Sequence, residues 1–118
     1  MLAFFKSILE QDTAPVVICD LNSVILYMNP AAIDTYHADL TGRNLALCHN
    51  SASVEKIARV LAWFREDSSH NSVFTSRIEK TNTDIYMVAL RDDAGNLIGY
   101  YEKHACRMPE TEPAYHFV

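Results

Sequence analysis

The sequence predicts an α+β domain: a five-stranded antiparallel sheet with short helices and one longer helix packed on one face, preceded by an amphipathic helix. Three observations predict it. Five short runs rich in β-branched and aromatic residues are each bounded by turn formers. The helical periodicities are grouped between the second and third runs instead of alternating with them, which favours an antiparallel over a parallel sheet. A chain of 118 residues, 49% hydrophobic and 21% charged, has the length and composition of one folded domain.

Residues 1–13 form the N-terminal amphipathic helix. Leu2, Phe5, Ile8 and Leu9 recur at helical spacing with Lys6, Ser7 and Glu10 between them, and Phe4 widens the apolar stripe. So short a helix is marginal alone in water, so its stripe must pack against something. Residues 14–107 form the main domain. Pro15 ends the first segment, and Val16–Cys19 and Val24–Met28 read as a hairpin joined at Leu21-Asn22-Ser23. In Asn29-Pro30-Ala31-Ala32, Asn suits an N-cap and Pro the first helical position, so a short helix follows to about Tyr36.

Asp39 to Asn44 is a polar turn, after which Leu45-Ala46-Leu47 resumes apolar character. The longest helix runs from Val54 to Glu66 with Val54, Ile57, Ala58, Leu61 and Phe64 or Arg65 on one face; Ser51 or Ser53 is its expected cap. Three strands follow, Ser72–Lys80, Ile85–Arg91 and Leu97–His104, the last two joined by Asp92-Asp93-Ala94-Gly95-Asn96, in which Gly95 takes the positive φ of a hairpin loop. Tyr86, Val88 and Leu90 share one face of their strand, and Ile85, Met87 and Ala89 the other. Both faces are apolar, so the sequence leaves open which is inward and implies a cover for the outer one. Residues 108–118 form a tail with two prolines.

Ten Lys and Arg stand against fifteen Asp and Glu, a net charge of −5 without a basic cluster, which argues against nucleic-acid binding. Cys19, Cys48 and Cys106 are odd in number and widely spaced, and read as reduced thiols. There is no secretory-type leader and no run of about 20 apolar residues, so a cytoplasmic protein without membrane association is expected.

The stretch LCHNSASVE places Cys48 beside His49. Three readings are open: a nucleophilic dyad, a ligand contact, or a packed thiol and a turn histidine before the helix. Adjacent helical residues point about 100° apart, and no third group to orient a base is identifiable. The protein is therefore expected not to be an enzyme. His37, Cys48, His49, His70 and His104 are too scattered for a structural metal, and His70 and His104 read as solvated surface residues. Tyr36, Trp63, Tyr86, Tyr100 and Tyr101 read as core or sheet-surface aromatics, with pocket lining the alternative.

The hairpin, then Asn29-Pro30-Ala31-Ala32, then Asp39-Leu40-Thr41-Gly42-Arg43-Asn44-Leu45, and finally Arg91 to Tyr100 with its acidic turn and Gly95, resemble the PAS domain family of sensory modules from Pro15 to about Arg107. Gly42-Arg43, Cys48-His49, Ser53-Val54, Ile57, Val60-Leu61 and Phe64-Arg65 are further similar to a PAS sub-group attached to hemerythrin-like domains in bacteria and archaea, with Asn50 standing where that sub-group commonly has Pro. The resemblance implies a small cavity between sheet and helices, here assigned to Tyr36, Cys48, His49, Ile57, Leu61 and Met87, open to a small apolar or amphipathic ligand. It names no cofactor. It also implies that the N-terminal helix lies across the open sheet face or pairs with its copy, making Leu2, Phe5, Ile8 and Leu9 a homodimer interface and an unidentified signalling protein the output partner. A ligand-free dimerisation scaffold is the alternative. A haem sensor is the weaker one, because the axial His of haem-holding members lies on the long helix, which here has none, leaving His37 and His49. A flavin photoadduct lacks its N-C-R-type cysteine motif.

Overall fold

Two asparagines set where the central helices begin. Asn29 precedes α2 (Pro30–Tyr36) and accepts from the backbone N–H of Ala32 at 2.9 Å, as the sequence predicts for Asn followed by Pro. Asn50 precedes α3 (Ser51–Glu66) and accepts from Ser53 N at 2.9 Å. The cap is therefore Asn50 and not Ser51 or Ser53, and the helix starts a turn earlier than its apolar stripe suggests. The computed structural model describes residues 1–48 and 50–115, with the backbone alone at Leu47 and Cys48.

The remaining elements are α1 (Leu2–Gln11), β1 (Val16–Asp20), β2 (Ile25–Met28), β3 (Ser72–Ile78), β4 (Thr83–Arg91) and β5 (Leu97–Cys106). Short 3₁₀ turns occupy Leu45–Cys48 and Glu79–Thr81. β3 thus ends two residues before Lys80, because the chain turns through Glu79–Thr81 to a left-handed Asn82 (φ 50°). β4 and β5 each run two residues beyond their apolar cores: Thr83 pairs with Cys106 and Asp84 with Ala105, a ladder that backbone hydrogen bonding supports whatever the side chains. At the start of β2, Val24 bridges to Asn44 instead of joining the strand.

The sheet is antiparallel throughout, in the order β2-β1-β5-β4-β3, so β1 and β4 flank the final strand, β5, at its centre. Cys19 pairs with Tyr100 and Met87 with Glu102, which settles the faces. Ile85, Met87 and Ala89 look toward the helices; Tyr86 looks away and packs its ring on Phe74 of β3. Ile57, Leu61 and Phe64 of α3 close over Val17, Cys19, Ile25, Met87 and Tyr100 to form the core. Ala58 and Arg65, counted with the apolar face in sequence, stand in solvent because the sheet takes up a narrower stripe.

Two devices hold the edges of this layer. Asp84, 2% exposed, receives Arg77 Nε at 2.7 Å and Arg107 Nη1 at 2.8 Å, tying the chain leaving β5 to the β3–β4 pair. Those guanidiniums, Arg77 before Arg107, hold its carboxyl below the usual carboxylate range. Arg91 donates to Asn71 Oδ1 (2.7 Å) and to the carbonyls of Phe64 (2.7 Å), His70 (3.2 Å) and Gly95 (3.2 Å).

α1 is the exception to packing. None of its residues is buried, and Leu2, Phe5 and Ile8 are 84%, 56% and 67% exposed. It is fixed at its C-terminal end, where Tyr27 Oη donates to Glu10 at 2.7 Å and Asn29 Nδ2 to the Leu9 carbonyl at 3.0 Å. The expectation that α1 lies across the sheet of its own chain is not met: its stripe points into solvent. Leu26, Phe74 and Ile98 leave the sheet's outer face apolar and open as well. No helix among the described residues is long and apolar enough to cross a membrane.

Candidate functional site

Strand parity builds the site. Tyr100, Glu102 and His104 share one face of β5, and Tyr100 is wholly buried in the core, so Glu102 and His104 must follow it inward. Beyond Tyr100 the helical layer thins, and these two polar side chains line a cavity of about 240 Å³ instead of packed core. Its other walls are Tyr36 at the end of α2, Ser53, Lys56 and Ile57 on the first turns of α3, Thr75 and Ile78 on β3, and Ile85 and Met87 on β4.

The polar groups are specifically placed. Lys56 Nζ donates to the Thr75 carbonyl at 2.9 Å, clasping α3 to β3 at the rim, and Thr75 Oγ1 donates to the Ile85 carbonyl at 3.1 Å. His104 Nε2 is buried with no hydrogen-bond partner among the described residues, and burial holds the imidazole below its ordinary pKa. Burial likewise pushes the Cys19 thiol up to about 11, partly offset by a hydrogen bond with Tyr100, while the negative charge of Glu102 adds to the rise. Tyr100 is raised by the same burial, and its hydroxyl shares a 2.8 Å hydrogen bond with Ser23.

Of the residues assigned to a cavity from sequence, Tyr36, Ile57 and Met87 come together here. Leu61 lies one turn further along α3 and lines a different, shallower hollow with Leu21, Ser23, Asn44 and Ala46. His49 and the side chain of Cys48 lie outside the described residues. His37 ends α2 in a left-handed conformation (φ 59°), exposed to solvent.

His70 and His104 are not the solvated histidines their surroundings in sequence suggest. His70 stacks on Trp63 at 4.1 Å between centroids and donates Nδ1–H to the Trp63 carbonyl at 2.8 Å. Glu102 and His104 were missed because a polar residue in an apolar strand reads as its solvent face. The available signal was their even spacing from Tyr100, usable only once the inward face was known. Among the described residues no group of three or more His, Cys, Asp and Glu could hold a metal ion.

Comparison with known proteins agrees on the architecture. No protein-family model matches the chain, and no curated protein does. Solved structures do. The PAS domain of a Colwellia psychrerythraea protein superimposes with a TM-score of 0.67 at 12% identity, covering 89% of this chain and 95% of that one. The PAS domain of Bordetella pertussis BvgS gives 0.62 at 15% identity, covering 93% and 88%. The Vibrio cholerae Aer2 receptor, described as a dual PAS-heme oxygen sensor, gives 0.53 at 22% identity, covering 80% and 95%. The chain has the PAS fold. These likenesses carry no sign of the hemerythrin-associated sub-group.

Proposed function

We propose that this is a sensory signal-transduction domain that takes a small ligand into the cavity between α3 and the sheet and passes the signal on through a homodimer. The observation that carries the reading is the pair of inward-facing polar side chains, Glu102 and His104, at a cavity where the fold elsewhere places apolar core. Of the two, the His104 Nε2 atom lacks a hydrogen-bond partner among the described residues; a polar atom so withdrawn from water costs about 1–3 kcal/mol, and a molecule that supplies a partner removes that cost. The likeness to PAS domains of BvgS and of a histidine kinase, ThkA, supports a signalling role of this kind. The sequence assignment of Leu61 to the cavity is withdrawn; Tyr36, Ile57 and Met87 are retained, with Cys48 and His49 as neighbours by sequence.

The output half of the proposal rests on the two apolar surfaces that one chain leaves open, the Leu2, Phe5 and Ile8 stripe with Leu9 beside it, and the outer sheet face. A two-fold axis buries both at once in a second copy. Haem fits this site poorly, although the Aer2 likeness brings it to mind. A cavity of about 240 Å³ falls below the roughly 300–1,000 Å³ of sites for drug-sized molecules, and α3 offers no histidine.

Native mass spectrometry of the purified protein, with a visible spectrum, tests the reading. A retained small mass without a Soret or flavin band is expected. An empty dimer favours the ligand-free scaffold instead, and a stoichiometric Soret band lost on His37→Ala or His49→Ala makes the domain a haem sensor.

A further inference from the structure

We infer that the cavity is one end of a trough that takes an unbranched hydrocarbon chain of about eight to ten carbons, with a head group that accepts hydrogen bonds left at Lys56. The inference rests on the ligand-sensing reading above and names the chemical class of its ligand.

The first ground is continuity. A second hollow, of about 330 Å³, lies beside the first and shares two of its walls, Ile78 and His104. It is closed by Thr13 and Pro15 of the α1–β1 linker, Thr35 of α2, and Thr81, Thr83 and Cys106. The strand register gives the two hollows a common floor: Met87 beside Glu102, Ile85 beside His104 and Thr83 beside Cys106, each pair one step further along β4 and β5. Ile78 is the partition. It is the last residue of β3, 43% exposed, where the strand gives way to a turn, so its side chain has solvent to swing into without unpacking the core.

The second ground is length and width. From Glu102 to Cys106 the floor runs four residues along β5, about 13 Å by the rise of a strand. Carbon–carbon bonds of about 1.5 Å at near-tetrahedral angles advance about 1.25 Å each along an extended chain, so the floor matches about ten of them. It is two strands wide, and neighbouring strands lie about 4.8 Å apart, a width for one chain and not for a flat ring system. With the second hollow engaged, the site reaches the roughly 300–1,000 Å³ that the first alone falls short of.

The third ground is the division of polar groups between the two ends. Ser53 and Lys56 line the first hollow from the opening turns of α3, and the Lys56 ammonium has three donors, one of them given to the Thr75 carbonyl. That end suits an acceptor. In the second hollow the hydroxyls already donate within the protein: Thr35 to the Ala31 carbonyl at 2.9 Å, Thr81 to Thr83 Oγ1 at 2.9 Å and Thr83 to the Thr81 carbonyl at 3.3 Å. No Asp, Glu, Lys or Arg lines it among the described residues, so it suits the tail. A carboxylate and a hydroxyl both accept, so a medium-chain acid and a medium-chain alcohol are two sources of the same chain.

The test is a titration of the full chain with octanoate, octanol and butyrate at pH 7, followed by NMR. The octyl probes are expected to shift Met87 in the first hollow and Thr83 and Cys106 in the second on one saturation curve. Each is expected to bind at least tenfold tighter than butyrate, since four more methylenes leave water. The tighter of the two identifies the source of the chain as acid or alcohol. Ile78→Trp, which fills the passage between the hollows, is expected to reduce both octyl probes to the affinity of butyrate. Should that variant fail to fold, the ranking of the three probes on the wild-type chain decides. Butyrate binding as tightly as the octyl probes, or octyl shifts confined to the first hollow, overturns the trough and leaves the cavity a ligand site; a folded Ile78→Trp with unchanged octyl affinity does the same. Octyl shifts centred on Phe74 and Ile98 place the chain on the outer sheet face and overturn it too. Saturable shifts with none of the three overturn the chain assignment, and the retained mass in native mass spectrometry then decides the ligand-sensing reading separately.

Discussion

The side-chain amide of Asn29 donates to the carbonyl of Leu9 at 3.0 Å, so the residue that caps α2 also grips the end of α1. Wholly buried, Asn29 further accepts from Val16 N at 2.9 Å and donates to Ala14 O at 2.9 Å. One side chain thus fixes where α1 leaves the domain, where β1 begins and where α2 starts. Asn29→Ala removes a cap worth about 1 kcal/mol and strands buried backbone groups at about 1–3 kcal/mol. A loss of roughly 2–4 kcal/mol is expected from urea unfolding. Asn29→Asp, which keeps the acceptor and loses the donor, is expected to fall between the two.

α1 offers the second prediction. With its stripe in solvent, Phe5→Glu combined with Ile8→Glu is expected to convert a dimer into a monomer while the sheet and α3 stay folded. Light scattering across a concentration series, with circular dichroism on the same samples, checks it. A wild-type chain that stays monomeric at high micromolar concentration defeats the dimer, and a double mutant that unfolds shows that α1 belongs to the core of its own chain.

Much of the architecture was legible before the structure: the order of elements, the hairpins, the Asn29-Pro30 helix start and the turn at Gly95, whose φ is 87°. These are local effects, set by backbone preferences and capping within a few residues. What was not legible depends on partners distant in sequence. Ser51 and Ser53 compete with Asn50 as caps on composition alone, and only the chain path at Asn50 (φ −74°, ψ 169°) decides. Ile85 and Tyr86 are equally apolar, so the inward face needed the pairing of Cys19 with Tyr100. Glu102 and His104 entered the site by that same register, which is why Tyr36, Ile57 and Met87 could be named from sequence and the polar pair could not.

His104 supplies a prediction about pH. Its folded pKa lies below the ordinary histidine value because it is buried, so the unfolded chain takes up this proton first. The stability that depends on neutral His104 is whole above about pH 6.5 and is lost as pH falls from there through the lowered folded value. The fall in urea midpoint between pH 7.5 and 5.5 is expected to be smaller in His104→Gln than in the wild type. Asp84 acts in a lower window: its depressed carboxyl contributes above about pH 3.8 and is lost below it as the carboxylate protonates. Equal slopes in the two proteins would show that His104 titrates as it does in the unfolded chain.

Gly99 crosses β1 so closely that a Cβ there would overlap the carbonyl oxygen of Cys19, a backbone atom that moves only with the strand. Gly99→Ala is expected to cost at least about 1–3 kcal/mol, as overpacking does. Gly95→Ala has open space around it and only the positive φ against it, about 1–2 kcal/mol. Thermal melts of the two variants side by side check the order.

Arg91 joins the last turn of α3, the segment entering β3 and the β4–β5 hairpin through one guanidinium. Three chain ends that would otherwise fray independently therefore share a single point of failure. In hydrogen exchange, the amides near Phe64, Asn71 and Gly95 should open as one cooperative unit with one opening free energy, and truncating Arg91 should split that unit into three.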